Sequence, residues 1–473
     1  MGLSRRAVLL GGTGIVIGAP AIQHVAWNAK NFVRDGYSAD FPEAPEGKTS
    51  WMNWSGSQFA TPSEINFPSN EDDLVDVLQS TSGRIRPVGS GHSFTGLAPC
   101  EDVMVDVSAM AGLYSYDDAT GLATFGAGTR LFHAAADLDD KGRAFPNLPD
   151  VDVQTLAGSF STATHGTGNH LTAIHDYIES FRIVTAAGER LDVSAKSNAD
   201  LFAAGKVSLG ALGIITQYTL RTVPAFNLHR RLTIEPVEPF LERVETLAEA
   251  HRNFEFFYSP STGIVAWLVH DVHDGPISGR SESQDDETLE SLKQLRDTFG
   301  WFPWLRRKVA KLSVPTGIAE DSSDASWHLL STTRPIKFNE MEYHIPRENG
   351  VATLRKIIRM MDHRKDAFFP IEYRHIAADT AWLSPFNDEP RSSIAIHAAV
   401  DERYDYFYSD FEPVFRAAGG RPHWGKHHSL GKSDFAALYP EFDRFNEIRR
   451  ELDPNGRFLN PHLAKIFGEN FDG

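Results

Sequence analysis

Arg84-Ile85-Arg86-Pro87-Val88-Gly89-Ser90-Gly91-His92-Ser93-Phe94-Thr95-Gly96 is the stretch on which the reading of this chain turns. A short β-type run, Ile85 to Val88, delivers Gly89 and Gly91 into a tight turn. Glycine lacks a Cβ and admits positive φ, so successive backbone N–H groups there can converge on an anion. His92 and Ser93 follow directly, which places an imidazole and a hydroxyl beside that turn. Such a loop suits a pyrophosphate with a ring system facing the histidine. It departs from the dinucleotide fingerprint, whose third glycine would fall on Phe94. A sharp connection with no ligand is the competing reading of these residues alone.

A second loop of similar character runs from Gln154-Thr155 through Gly158 to Ser161-Thr162-Ala163-Thr164-His165-Gly166-Thr167-Gly168. Small residues and hydroxyls allow close backbone approach and supply donors for phosphate and ring carbonyl oxygens. A third small-residue segment, Ser208 to Ile215, leads into a β-rich run. Two such loops within one strand–helix region argue for a nucleotide lying between them.

The chain has 473 residues, enough for two or three domains, with an apolar fraction of 41% and a charged fraction of 23%. Its net charge of −17 repels phosphate backbones, and no basic face offsets it, so nucleic acid is excluded as a partner. Cys100 is the one cysteine, which rules out an internal disulfide and a cysteine-based metal cluster. It reads as a small buried residue, with a thiol partnered by His92 as the alternative. Arg5-Arg6 precede a weakly apolar, glycine-rich stretch ending at Ala19-Pro20-Ala21. This resembles a twin-arginine export signal over residues 1–25. It implies a periplasmic or extracellular location, with membrane contact only through an uncleaved signal.

Residues 51–224 alternate short strands and helices, among them a helix over Glu71–Gln79 capped by Ser69-Asn70 and one over Leu131–Lys141 stopped by Gly142. Residues 225–400 form a second region, in which the acidic stretch Ser278–Glu287 reads as an exposed loop. The aromatic and basic run from Gly300 to Lys311 reads as a packed helix or a membrane-surface segment. Residues 401–473 form a helical third region.

Glu372-Tyr373-Arg374 lies in a β-like run, where period two puts carboxylate and guanidinium on one face. That pair can orient a polyhydroxylated substrate and fix positive charge at a reaction centre, or it can be a surface pair on an exposed sheet. His397 sits in an otherwise apolar run and reads as a core histidine. His423-Trp424-Gly425-Lys426-His427-His428 raises a metal reading, but no carboxylate or cysteine stands at ligand spacing. Lys426 can instead present an ammonium to a ring carbonyl.

Together these segments resemble the vanillyl-alcohol-oxidase-type flavoproteins, within them the sugar-lactone and alditol oxidases. Gly-Ser-Gly-His-Ser is similar to the family's flavin loop, Ser161 to Gly168 to its second FAD segment, Glu372-x-Arg374 to its substrate-facing pair and His423-Trp-x-Lys426 to its C-terminal signature. Asn53-Trp54-Ser-Gly and the ending Asp453-Pro-x-Gly-x-Phe-x-Asn460 also fit. The resemblance implies an α+β fold: a two-subdomain FAD-binding domain of the PCMH type, an antiparallel-sheet cap, and a C-terminal segment returning to the flavin. It implies FAD held by Val88, Gly89, Ser90, Gly91, His92 and Ser93, by Thr155, Thr162, Ala163, Thr164, His165, Gly166 and Thr167, by Gly213 and Ile215, and by Lys426. The link would be covalent through His92 alone, since Cys100 does not match the cysteinyl link of bicovalent relatives. Glu372, Arg374, Lys426 and His397 would be catalytic, with a sugar lactone or alditol as substrate and hydride passing to the flavin. Oxygen would be the acceptor, as in D-arabinono-1,4-lactone oxidases. A cytochrome or quinone acceptor, and a non-catalytic flavin- or sugar-binding protein, are the alternatives.

Overall fold

The computed structural model of the chain describes residues 23–280, 285–332 and 336–471. The arginine pair and the small-residue site of the expected export signal lie outside the described residues. Among the described residues no helix is long and apolar enough to cross a membrane.

The first subdomain is a parallel sheet of β1 (Glu64–Asn66), β2 (Ile85–Val88) and β3 (Val103–Asp106) in the order β1-β3-β2. Helix α1 (Glu71–Ser80) connects β1 to β2 and starts at Asn70, whose Oδ1 accepts from the Asp73 backbone N–H at 2.9 Å. Its Leu74 and Leu78 are buried in one apolar cluster with Ile85, Val103 and Val105. The second subdomain is an antiparallel sheet of β4 (Leu113–Asp117), β5 (Leu122–Gly126), β6 (Ile178–Val184), β7 (Arg190–Ser194) and β8 (Ile214–Arg221), ordered β7-β6-β8-β5-β4. Helix α2 (Leu131–Asp139) buries Leu131, Ala134, Ala135 and Leu138, and the chain turns at Gly142 with φ +66°. The short helix α3 (Leu156–Ser161) opens the second glycine-rich loop.

The cap is an eight-stranded antiparallel sheet. Its strands are β9 (Asn227–Pro236), β10 (Asn253–Ser259), β11 (Ile264–Val272), β12 (Gly317–Ala325), β13 (Phe338–Pro346), β14 (Ile371–Ile376), β15 (Arg391–Ala399) and β16 (Arg421–Pro422). Their order is β12-β9-β11-β10-β14-β15-β13-β16. The acidic stretch read as a loop gives way at Asp285 to helix α4 (Asp285–Phe299). Asp286 and Glu287 sit in its first turn, where negative charge complements the helix dipole. Helix α5 (Pro303–Ser313) buries Arg306 and Ala310 and leaves Trp304 and Leu312 exposed, so it packs as a helix on the cap. Helix α6 (Arg347–His363) covers one sheet face, and Gly350 permits its close approach to Tyr373 and Ser392. The opposite face carries Glu372, Arg374 and Ser393 and looks toward the first domain.

The last segment stitches the two domains together. It contributes β16 to the cap, and then its loop from Asp453 to Asn460 packs on the first domain. Arg86, fully buried, donates to the carbonyls of Leu97, Leu209, Gly210 and Phe458. Asn460 Nδ2 donates to the carbonyls of Gly96 and Pro99 at 2.7 and 2.8 Å.

Candidate active site

Two cavities meet at the first glycine-rich loop. The narrower, of about 110 Å³, is lined by Val88 to Ser93, Thr155, Thr162, Gly213 and Ile215. Its walls stand close because side chains are missing. A Cβ on Gly89 would lie 2.3 Å from Thr155 Oγ1, and one on Gly213 would lie 2.6 Å from the Val184 carbonyl. Gly91 has φ +67°, and its carbonyl accepts from the Trp54 N–H at 2.8 Å. Thr155 caps α3, its Oγ1 accepting from the Gly158 N–H, and Ser90 Oγ donates to the Val153 carbonyl at 2.6 Å.

His92 lines both cavities and stacks on Trp54 with ring centroids 5.4 Å apart. Burial, then Lys426 and Arg130, push its pKa down to about 4, so the imidazole is neutral at physiological pH. Gln154 also lines both, and its Oε1 is buried with no hydrogen-bond partner. That acceptor fits a bound group bringing its own N–H or O–H. The glycine-walled cleft, the neutral histidine and the unsatisfied amide all fit FAD.

Thr164 and His165 reach the second cavity, but Ala163, Gly166 and Thr167 line neither. Ala163 is fully buried with φ 57°, and a Cβ on Gly166 would strike the Leu148 carbonyl at 2.3 Å. Thr167 donates to the Phe254 carbonyl and accepts through its own carbonyl from Asn253 Nδ2 at 2.7 Å. Of these three, Thr167 joins the first domain to β10, whereas Gly166 packs against Leu148 and Asn147 within the first domain.

The second cavity, of about 300 Å³, is floored by the face of the cap sheet opposite α6. Strand register assembles its polar half. Arg374 pairs across with Glu255 and Ser393, Glu372 with Phe257 and Ala395, and Glu340 with His397. Glu372 and Arg374 are 6% and 8% exposed, which disposes of the surface-pair alternative. Arg374 bonds Glu372 and Asp150, and its Nε donates to Glu255 at 3.1 Å. His397 donates from Nδ1–H to the Pro370 carbonyl at 2.8 Å, and its Nε2 lies 3.6 Å from Glu340. It is therefore a wall residue of the cavity, not an interior core histidine.

Lys426 completes this end, ion-paired with Glu340. Its segment is tied to both domains. The N–H groups of His423 and His427 donate to the Glu342 and Glu340 carbonyls at 3.0 and 2.9 Å, and the Phe94 N–H donates to the Gly425 carbonyl at 2.7 Å. Trp424, fully buried, donates from Nε1 to the Leu383 carbonyl at 2.6 Å. The three histidines of the segment diverge: His427 meets Tyr408 and Asn339, whereas His423 lies among Glu342, His165 and His344.

The electrostatics follow from crowding carboxylates around few cations. Burial and then Asp150 raise Glu255 to about 8, and burial raises Glu372 to about 7 against the pull of Arg374. Glu340 goes the other way, down to about 2, because Lys426 and His397 outweigh its burial. His397 is raised, Glu340 outweighing burial, and Arg374 is held well above its ordinary value by Asp150, Glu372 and Glu255. The pocket therefore holds fixed cations beside a carboxyl that titrates near neutrality.

A family model described as D-arabinono-1,4-lactone oxidase matches residues 218–466, and one described as FAD binding domain matches residues 62–194. The chain belongs to the D-arabinono-1,4-lactone oxidase family. The L-gulono-1,4-lactone dehydrogenase of Mycobacterium tuberculosis is 35% identical over 427 residues, 88% of this chain and 99% of that protein. L-gulonolactone oxidase of Mus musculus is 28% identical over 88% of this chain and 98% of its own length. Alditol oxidase of a Streptomyces species is 27% identical over 88% and 99%. A crystal structure of cholesterol oxidase from B. sterolicum shares the fold, with a TM-score of 0.70 at 14% identity, covering 91% of this chain and 100% of that one.

Asp150, Glu255, Glu340 and Glu342 escape motif reading because each sits on a different element from its partner. A weak signal exists in Asn339-Glu340-Met341-Glu342, whose period-two carboxylates interrupt a buried strand. Glu255 stands alike in an aromatic strand.

Proposed function

We propose that this protein is an FAD-dependent oxidoreductase that oxidises a carbinol carbon of a sugar lactone or alditol. The observation carrying this reading is that Glu372, Arg374, His397 and Lys426 converge on one cavity that shares His92 and Gln154 with the cleft fitted to FAD. FAD, when bound, supplies the hydride acceptor. The cleft residues Gly89, Gly91, Thr155 and Gly213 would hold it by close backbone approach. Arg374 and Lys426 place fixed positive charge where negative charge develops during the transfer. Glu372, with a pKa near 7, is matched to take the substrate hydroxyl proton at a carboxylate oxygen close to neutral pH. Glu340 and His397 orient neighbouring hydroxyls from the wall of the cavity. Anaerobic mixing of the FAD-loaded enzyme with aldonolactones and alditols tests this reading. Bleaching of the flavin absorbance is the expected result, and a full panel without bleaching would overturn it.

Oxygen is the acceptor in this proposal. Likeness to a dehydrogenase favours a second reading, in which a cytochrome or quinone receives the electrons. Peroxide yield in air, against anaerobic turnover with an artificial acceptor, separates the two. Covalent attachment of FAD through His92 is supported by its neutral imidazole at the junction of the cavities. Yellow colour should stay in the acid-precipitated pellet of the natural protein and leave that of His92→Ala. Export is supported by Arg5-Arg6 and the apolar stretch behind them, and Arg5→Lys with Arg6→Lys should retain the protein in the cytoplasm.

A further inference from the structure

The floor of the larger cavity changes character at β10. On the flavin side it presents the charged groups described above. Beyond β10 the same sheet face continues, through the cross-strand sets Glu372–Phe257–Ala266–Ile234 and Arg374–Glu255–Leu268–Leu232. The cavity is thus floored, past Glu372 and Arg374, by Leu232, Ile234, Phe257, Ala266 and Leu268. Leu232, Ile234, Phe257 and Ala266 are only half-buried, unlike the fully buried apolar side chains on the other face of the sheet such as Tyr373 and Ile394. Polar groups stand at its margin and not on the apolar floor itself, Ser259, Thr332, Asp286 and Thr288 among them. Arg230 is engaged by Glu320 at 3.0 Å and His270 at 3.2 Å, while Asp286 and Thr288 stand on α4. A polyol lying on Leu232, Ile234, Phe257, Ala266 and Leu268 would surrender hydration there without replacement hydrogen bonds from those side chains.

We infer that the preferred substrate is amphipathic: a polyhydroxylated or lactone end that is oxidised at Glu372, Arg374 and Lys426, carrying an alkyl, acyl or aryl group that lies on the apolar floor of β9, β10 and β11. This rests on the functional reading above and specifies its substrate class. Binding energy from the distal group would be drawn from apolar burial, which is roughly proportional to area removed from water.

The test compares reduction of the FAD-loaded enzyme by an unsubstituted alditol or lactone with the same compound bearing a terminal ethyl, butyl or hexyl ether. The expected result is a kcat/KM that rises about fourfold for each methylene buried, and a butyl-to-unsubstituted ratio that falls about tenfold in Ile234→Asn or Leu232→Asn. Efficient reduction by the unsubstituted compounds with no gain along the series, and a ratio unmoved in both variants, would overturn the inference and leave the functional reading standing. Absence of reduction by every compound, bare or substituted, would remove the functional reading and this inference with it.

Discussion

The cofactor cleft and the cap face solve opposite physical problems. The cleft is shaped by what its residues lack: Gly89 and Gly213 stand where any Cβ would meet Thr155 or a carbonyl. It positions a large group by backbone approach. The cap face is shaped by what its residues carry, with Arg374 gripped by Asp150, Glu255 and Glu372. Burial, with like charges crowded around Arg374, lifts Glu255 to about 8 and Glu372 to about 7. In the proposed function, shape holds the cofactor and a preorganised field supports the chemistry. The two functions should therefore separate under mutation.

The sharpest way to break that separation is Arg374→Met. Flavin reduction should slow about 10²- to 10³-fold, the scale of losing one charge-stabilising donor, while FAD content stays near one per chain. Stopped-flow reduction and the flavin-to-protein absorbance ratio read the two quantities, and loss of FAD from this variant would mean that the regions are not independent. Gly89→Ala probes the other side. Overpacking against Thr155 of about 1–3 kcal/mol should weaken the initial, non-covalent uptake of FAD about 10- to 100-fold with the cap intact, so that fewer chains carry it. A variant that purifies with a full complement of FAD would contradict the close-approach account.

The smallest effect concerns pH. Glu255 and Glu372 have folded pKa values of about 8 and about 7, above the unfolded 4.5, so the folded state binds protons that the unfolded chain has released. Their contribution to stability is full below pH 4.5 and is lost as pH rises through 7 to 8. Glu255→Gln removes one of the two titrations, and its thermal midpoint should fall less than the natural protein's between pH 6 and pH 9 by a few degrees, on the scale of about 1 kcal/mol. Parallel melting curves across that range would refute the account of a crowded carboxylate cluster. Acid acts oppositely on Glu340, whose pKa of about 2 keeps its contribution until strongly acidic pH.

Much of the cleft could be read from the chain because the cradle depends on contiguous residues. A glycine pair after a short strand, and a threonine capping the next loop, have their effect over a few residues of backbone. The same holds for Glu372-x-Arg374, since period two alone places both on one face. The second loop was only half legible. Its composition suits ligand contact throughout, yet Thr167 turns to β10 and Gly166 packs against Leu148, while Ala163 is fully buried. The acidic run from Ser278 illustrates a different failure, because polarity marks exposure but does not distinguish a loop from the first turn of α4.

By itself the sequence determined the local elements: the capped α1, the glycine turns, the strand carrying Glu372 and Arg374, and the short segment that presents Lys426. Only the tertiary structure decided which charges meet. Strand order in the cap, with β10 beside β14 and β13 beside β15, brings Glu255 to Arg374 and Glu340 to His397. Those pairings are long-range, and burial then converts them into shifted proton affinities. Neighbouring residues along the chain act through backbone geometry, whereas electrostatic partners act through space, and space is apportioned only when the sheet has formed.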